Sequence, residues 1–225
     1  VFNWLKQLFG RKVESASSPE AEAAAYAFDE EKQKALDAAL GKMEDTVIHA
    51  IIPYFLGGTL DLYPFRRHIR GTLYVTQELF TFDPRSRPKK SRDGWFELAV
   101  AFRDADGSVF KNASRDSDGE MPASVSLASR LLNPLARYSE MASLSPGETA
   151  ELPGDDGEPS TCIVFDRVEC SPMSAGGTPF FLLLVIQVHP AELAMARSQG
   201  SEALFAALKQ HGHYPYSDLD RPSVA

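Results

Sequence analysis

The sequence predicts an α+β fold, a mostly antiparallel central sheet covered by helices, and three features carry that expectation. An alanine-rich stretch places Phe28, Leu36, Leu40 and Met43 near helical spacing. From Thr59 the texture changes to short aromatic and β-branched runs divided by turn signals. Residues 178–188 then form a run so uniformly apolar that it belongs at the centre of a sheet, buried on both faces. With 225 residues and 44% hydrophobic side chains, the chain can bury a core without a disulfide framework or a structural metal.

Residues 1–12 set Phe2, Trp4, Leu5, Leu8 and Phe9 beside Lys6, Arg11 and Lys12, the pattern of a short cationic amphipathic helix. Lys6 and Gln7 break the apolar stretch and no small-residue cleavage site follows, so it does not read as a signal peptide. Residues 13–19 are serine-rich and read as a linker, dividing the chain into an amphipathic helix with linker at 1–19 and an α+β domain at 20–225. Ser17 and Glu20 match a capping box, Pro19 suits a first helical turn, Glu30 and Lys34 form an i,i+4 pair, and Gly41 sits where that helix ends. Residues 46–56 are apolar and fit either a short helix or a strand.

Strands are predicted over 59–65, 71–80 and 94–103, followed by an Asp-Gly turn at 104–107, a return through Val109 and Phe110, and a polar loop at 112–122. Residues 125–144 read as a helix with Leu127, Leu131, Leu132, Leu135 and Tyr138 on one side, kinked or divided at Pro134. Proline, glycine and acid dominate 145–160, which is expected to be an exposed loop. Strands at 161–169 and 178–188, then two helices opening near Pro190 and Ser201 with Leu204, Phe205 and Leu208 inward, complete the chain.

Charge and chemistry narrow the function by exclusion. The 23 basic and 31 acidic side chains give a net charge of −8, which disfavours nucleic acid and suits a basic protein partner. Cys162 and Cys170 are the only cysteines, a usage that fits a reducing, cytoplasmic compartment. The longest apolar run is too short to cross a bilayer, so no stable membrane insertion is expected. Gly57-Gly58 and Gly176-Gly177 lead into strands rather than helices, and no Gly-x-Ser-x-Gly string occurs, so neither a phosphate loop nor a hydrolase elbow is present. His211 and His213 come closest to a metal pair but read as a solvated helix end, and His49, His68 and His189 are isolated. The runs beginning at Asp104 and Asp116 lack the later glycine and glutamate of a calcium loop.

Glu97 interrupts an apolar strand, and alternation points it outward to solvent. Nothing in the sequence sets a second carboxylate beside it, so no acid–base pair is read there. The expectation is a chain with no catalytic residues, no metal site and no cofactor. Two charge clusters remain, Arg85, Arg87, Lys89, Lys90 and Arg92 in one loop, and Glu148, Glu151, Asp155, Asp156 and Glu158 in another.

Several strings together resemble the Suppressor of fused (SUFU) family domain. They are Gly94-Trp95-Phe96-Glu97-Leu98 entering a strand, Leu135-Ala136-Arg137-Tyr138 ending a helix, Pro146-Gly147-Glu148, Pro190-Ala191-Glu192-Leu193 after the apolar strand, Glu202-Ala203-Leu204, and Asp220-Arg221-Pro222-Ser223-Val224. The resemblance covers about residues 59–224, and order and spacing carry it rather than any one string. After Tyr74-Val75-Thr76, where the family tends to have a small Gly/Ser turn, this chain has Gln77-Glu78-Leu79-Phe80 and then the basic loop. The second domain of animal members, and with it their transcription-factor peptide, is not carried over.

What the resemblance implies is a non-enzymatic protein-binding domain of the stand-alone bacterial, immunity type, which would neutralise or regulate a protein partner such as a basic toxin. The acidic cluster would steer that partner, with Tyr63, Tyr74 and Trp95 as aromatic anchors. Two other readings stay open: an enzyme whose site is assembled from scattered residues, and a membrane-associated adaptor using residues 1–12.

Overall fold

The computed structural model describes residues 19–80, 90–91, 93–103, 123–154, 159–171, 173 and 179–225. The amphipathic segment with most of its linker, the 104–107 turn, the 112–122 loop and most of the basic cluster lie outside them. Twelve elements are present among the described residues: α1 Pro19–Leu40, a 3₁₀ turn Tyr54–Leu56, β1 Tyr63–Phe65, β2 Thr72–Val75, β3 Lys90–Ser91, β4 Gly94–Phe102, α2 Ala123–Tyr138, β5 Thr149–Leu152, β6 Thr161–Glu169, β7 Phe180–Val188, α3 Pro190–Gln199 and α4 Ser201–Gln210.

One sheet runs β1-β2-β4-β7-β6-β5, and β3 pairs with the start of β4. Only the β4–β7 pair is parallel, so the fold is α+β with a mostly antiparallel sheet. The apolar run at 180–188 lies between β4 and β6, and its side chains alternate between two cores. Phe180, Leu182, Leu184 and Ile186 face α1, α3 and α4, which contribute Leu36, Leu40, Leu193, Leu204, Phe205 and Leu208. Phe181, Leu183 and Val185 face α2, which contributes Val125, Leu131, Leu132 and Leu135. A strand sandwiched in this way has no polar face to show, which is why its sequence reads as continuous apolar residues.

Local chemistry explains the ends of elements. Gly41 takes φ +81° after α1 and donates its N–H to Asp37 O at 2.9 Å. Gly94 takes φ +136°, and a Cβ there would meet Pro179 O at 2.3 Å, so only glycine lets the chain enter β4 beside β7.

Five sequence expectations are corrected. Residues 46–56 are neither helix nor strand but an isolated bridge between Ile48 and Leu62 followed by the 3₁₀ turn. The second strand stops at Val75; Thr76 still donates its N–H to Leu98 O of β4 at 2.9 Å, and residues 77–80 beyond it are held by side chains rather than by the sheet. Helix α2 ends at Tyr138, with Pro134 inside it, and Tyr138 is exposed rather than inward. Part of the expected loop at 145–160 is a strand, β5, since four residues, three of them half-buried and Glu151 exposed, suffice to pair with the edge of β6. Glu97 is fully buried on the α1 face instead of pointing to solvent. Leu183 shows no exposure, so Leu183→Ala should lower the unfolding free energy by about 2–5 kcal/mol in urea titrations; a change near zero would remove β7 from the core.

Candidate functional site

The surface is built outward from a buried ion pair. Lys32 projects from the core face of α1 with its Nζ 3.1 Å from Glu97 Oε1, and the two residues are 1% and 0% exposed. The ammonium also donates to Gln77 O at 2.5 Å and Phe80 O at 2.7 Å. Glu97 accepts the Phe80 N–H at Oε1, and the Thr76 hydroxyl and Leu79 N–H at Oε2, at 2.7–3.2 Å. Residues 77–80, the stretch in which the sequence departs from the resembled family, are therefore held by two side chains acting as strand partners.

Glu78 projects from that stretch. Its Oε2 accepts the Asp61 N–H at 2.8 Å, while Asp61 takes the Ala50 N–H on Oδ1 and pairs with His49 Nδ1 on Oδ2, both at 2.8 Å. Burial first, then the charges of Asp61 and Glu97, push the Glu78 carboxyl up to about 7, against the lowering influence of the Asp61 N–H bond and Lys32. Burial foremost, with Asp61, Glu78, Glu97 and Asp29 nearby, likewise raises the Tyr63 phenol.

Residues 50–59 form a tight apolar projection above this network. Leu56 and Gly58 donate to Pro53 O, Gly57 to Tyr54 O and Thr59 to Ile52 O. Arg137 of α2 fixes the projection to the body: it donates to Tyr54 O and Gly58 O at 3.1 and 2.7 Å, and its guanidinium lies 3.9 Å from the centre of the Tyr54 ring. The Tyr54 hydroxyl donates to Glu140 Oε1 at 2.7 Å. Burial and the Glu140 carboxylate raise that phenol well above its ordinary value.

At the opposite edge, β5 has β6 on one side and no strand on the other among the described residues. The outer side of β1 is covered instead, since Glu44 N–H reaches Pro64 O and Ile48 exchanges two bonds with Leu62. Beside β5 lies a cleft of about 450 Å³, lined by Glu151, Cys162, Leu193, Ala194, Arg197 and Ser198, with Pro190 at its end. Glu151 pairs with Arg197 across it at 3.3 Å.

The sequence-selected residues divide between these places. Glu151 is half-exposed on β5. Glu148 precedes β5, and its carboxylate accepts the Ser145 N–H at 3.0 Å. Asp155, Asp156 and Glu158 lie outside the described residues. Tyr63 is half-buried on β1, and Trp95 is half-buried with its ring stacked on Phe80 at 4.5 Å. Tyr74 is fully buried, with its hydroxyl 3.0 Å from Ser124 Oγ, and so presents no surface to a partner. Sequence reasoning missed Lys32, Glu78, Asp61 and the projection at 50–59. The one available signal was a lysine within the apolar face of α1.

No group of three or more His, Cys, Asp or Glu side chains is arranged to hold a metal ion among the described residues, and no described helix is long and apolar enough to cross a membrane. Burial raises the Cys170 thiol to about 12, far from the range of a reactive thiolate.

The fold has solved counterparts. The chain is similar to one in the crystal structure of the Sufu–Fu complex, with a TM-score of 0.59 and 17% identity over 89% of this chain and 91% of that one. It is also similar to Drosophila Suppressor of Fused, with a TM-score of 0.59 and 16% identity over 93% of this chain and 54% of that one, about half the Drosophila chain's length. No protein-family model matches the sequence, and no curated protein does. The architecture is thus a Suppressor of fused-like fold, in agreement with the resemblance read from the sequence.

The Glu78 network generates a pH prediction. A carboxyl whose folded-state pKa lies above its unfolded value binds its proton more tightly when folded. Its contribution to stability is present at low pH and is lost as pH rises from the ordinary carboxylate range through about 7. The melting temperature of the wild type should fall between about pH 5 and about pH 8, and Glu78→Gln, which keeps an acceptor for Asp61, should flatten that fall. Identical pH profiles for the two proteins would contradict the assignment.

Proposed function

We propose that the chain is a non-enzymatic protein-binding domain that pairs an extended segment of its partner with the open edge of β5. The observation that carries this reading is the asymmetry of the sheet: the β1 edge is closed by residues 44–48, while β5 carries no further strand among the described residues and borders a cleft suited to a side chain of an added strand. The acidic residues support it. Glu148 and Glu151 lie on or beside β5, and Asp155, Asp156 and Glu158 fall in the connection to β6, so a basic partner would be drawn to the edge that binds it.

The likeness to a chain crystallised as the Sufu–Fu complex supports a role in binding protein. In this reading the domain is cytoplasmic and neutralises or regulates its partner in the manner of an immunity protein, a basic toxin being the partner its charge suits. Tyr63 and Trp95, half-buried at the other side of the sheet, are secondary anchors at most.

Hydrogen exchange in the complex should show new protection at Thr149–Leu152. Stopped-flow association should slow with added salt, and neutralising Glu148, Glu151, Asp155, Asp156 and Glu158 together should lower the on-rate more than it raises the off-rate. Unchanged exchange in β5 on saturation with the partner would overturn the edge-pairing reading, and an on-rate indifferent to salt would overturn the steering.

A further inference from the structure

Six of the eight exposed large hydrophobic side chains among the described residues occupy one region: Ile51, Ile52, Phe55 and Leu56 on the 50–59 projection, and Tyr138 and Met141 at the end of α2. Arg137 and Glu140, on the segment that carries Tyr138 and Met141, both bond Tyr54 of the projection, which joins the two parts. Ile51 is 101% exposed, Met141 84% and Phe55 76%. Together the six leave the equivalent of about four whole side chains in water, on the order of 700 Å². The largest apolar patch of a typical monomer is about 300–600 Å², and a larger one marks a surface that a partner covers.

The region has a fixed shape. Bonds from Thr59 to Ile52, Gly58 to Pro53 and Gly57 to Tyr54 close the projection like a short hairpin, with Phe55 and Leu56 on the 3₁₀ turn at its tip. A Cβ at Gly58 would stand 1.7 Å from Ile52 O, so the backbone closes at a point only glycine allows. Beside the projection is a groove of about 320 Å³ whose lining includes Ile48, Ile51, Ile52, Leu60 and Ser129. An apolar knob and an apolar hole thus lie side by side on one surface.

We propose that the occupant of this surface is a second copy of the chain, related by a two-fold axis that sets the tip of each projection into the groove of the other. A two-fold interface uses the same patch on both copies, so it needs a surface complementary to itself, and a knob next to a hole meets that need. The area fits as well, since a stable interface takes about 800 Å² from each partner. So does the charge. The molecule carries −8 overall, yet at the border of the patch Arg137 pairs with Glu140 at 3.7 Å and His49 with Asp61 at 2.8 Å, so two copies meet there without facing like charges. The same net charge sets the patch against an anionic bilayer. The β1 edge beside it is closed by residues 44–48, so the contact is made by side chains and not by strand addition. None of these residues belongs to β5 or lines its cleft, so the inference stands apart from the reading of β5.

Sedimentation velocity of the full chain over about 1–100 µM should show a shift from the mass of one chain to that of two, and no further growth, because a two-fold contact closes on itself. Ile51→Asp with Phe55→Asp should raise the dimer dissociation constant by at least about tenfold. Met141→Asp, on the other segment of the patch, should weaken the dimer too and serves as the second variant. All three positions lie outside the cores, so at the lowest concentration the variants should melt with the wild type, and only the wild type's melting temperature should rise with concentration. A wild type that stays monomeric throughout overturns the proposal. So does a dimer that survives the aspartates, which would place the contact elsewhere, at β5 for instance, or open-ended growth, which a two-fold contact forbids. Monomers that instead co-sediment with phosphatidylcholine vesicles, and lose that with the aspartates, would assign the patch to a membrane and overturn it as well.

Discussion

Lys32 and Glu97 are the interaction on which the arrangement of the β1 side of the molecule depends. An ion pair taken out of water is held against a desolvation penalty of several kcal/mol per ion, and it persists only where further hydrogen bonds satisfy both partners. Here they do: the ammonium has three acceptors and the carboxylate four donors. The consequence is positional. Residues 77–80 leave the sheet yet stay fixed, Glu78 is aimed at Asp61, and Asp61 holds Ala50 and His49 at the foot of the apolar projection. A core contact between α1 and β4 thus sets the geometry of a surface loop.

The same logic recurs at the other end of the sheet. Glu192 at the start of α3 receives both Arg221 Nη atoms at 2.6 and 2.7 Å, and also takes the N–H groups of His189 and Val224. Burial alone would raise the Glu192 carboxyl, but Arg221 and the two N–H groups together hold it below the ordinary carboxylate range. The terminal residues are thereby clamped onto α3. Several strings that resembled the Suppressor of fused family turn out to hold such fastenings. Glu97 lies in the first, Arg137 in the second, Glu148 beside its Ser145 bond in the third, and Glu192 with Arg221 in the fourth and last. Each of these residues fastens an irregular stretch of chain through side-chain hydrogen bonds, Glu97 from a strand and Arg137 and Glu192 from helices.

What was legible in the sequence was what periodicity encodes. The run at 180–188 announced a central strand, and Leu204, Phe205 and Leu208 announced the inward face of α4. The buried polar groups were not legible, because alternation assigns Glu97 a face and cannot say that a lysine on α1, far earlier in the chain, waits on it. Nor was β5, since four residues amid proline, glycine and acid, none of them fully buried, gain their conformation from β6 rather than from their own composition. The projection at 50–59 read ambiguously because its apolar residues face water, against the pattern that links hydrophobicity to burial. Of the aromatic anchors, the fully buried Tyr74 could not be separated from the half-buried Tyr63 and Trp95 by propensity alone, as both cores lie against its strand.

Four amides make the central claim measurable, because side-chain carboxylates rather than sheet partners accept them: Leu79 and Phe80 on Glu97, Asp61 on Glu78, and Ala50 on Asp61. Residue-resolved native-state hydrogen exchange should be compared between the wild type, Lys32→Met and a control, Leu36→Val, that trims the same helix face without touching the ion pair. The account predicts a selective loss of protection at all four amides in Lys32→Met, while amides of β6 and β7 follow only the global stability change, as every amide does in Leu36→Val. Equal losses across the sheet in both variants, or protection retained at Asp61 and Ala50 when that of Phe80 is lost, would contradict it.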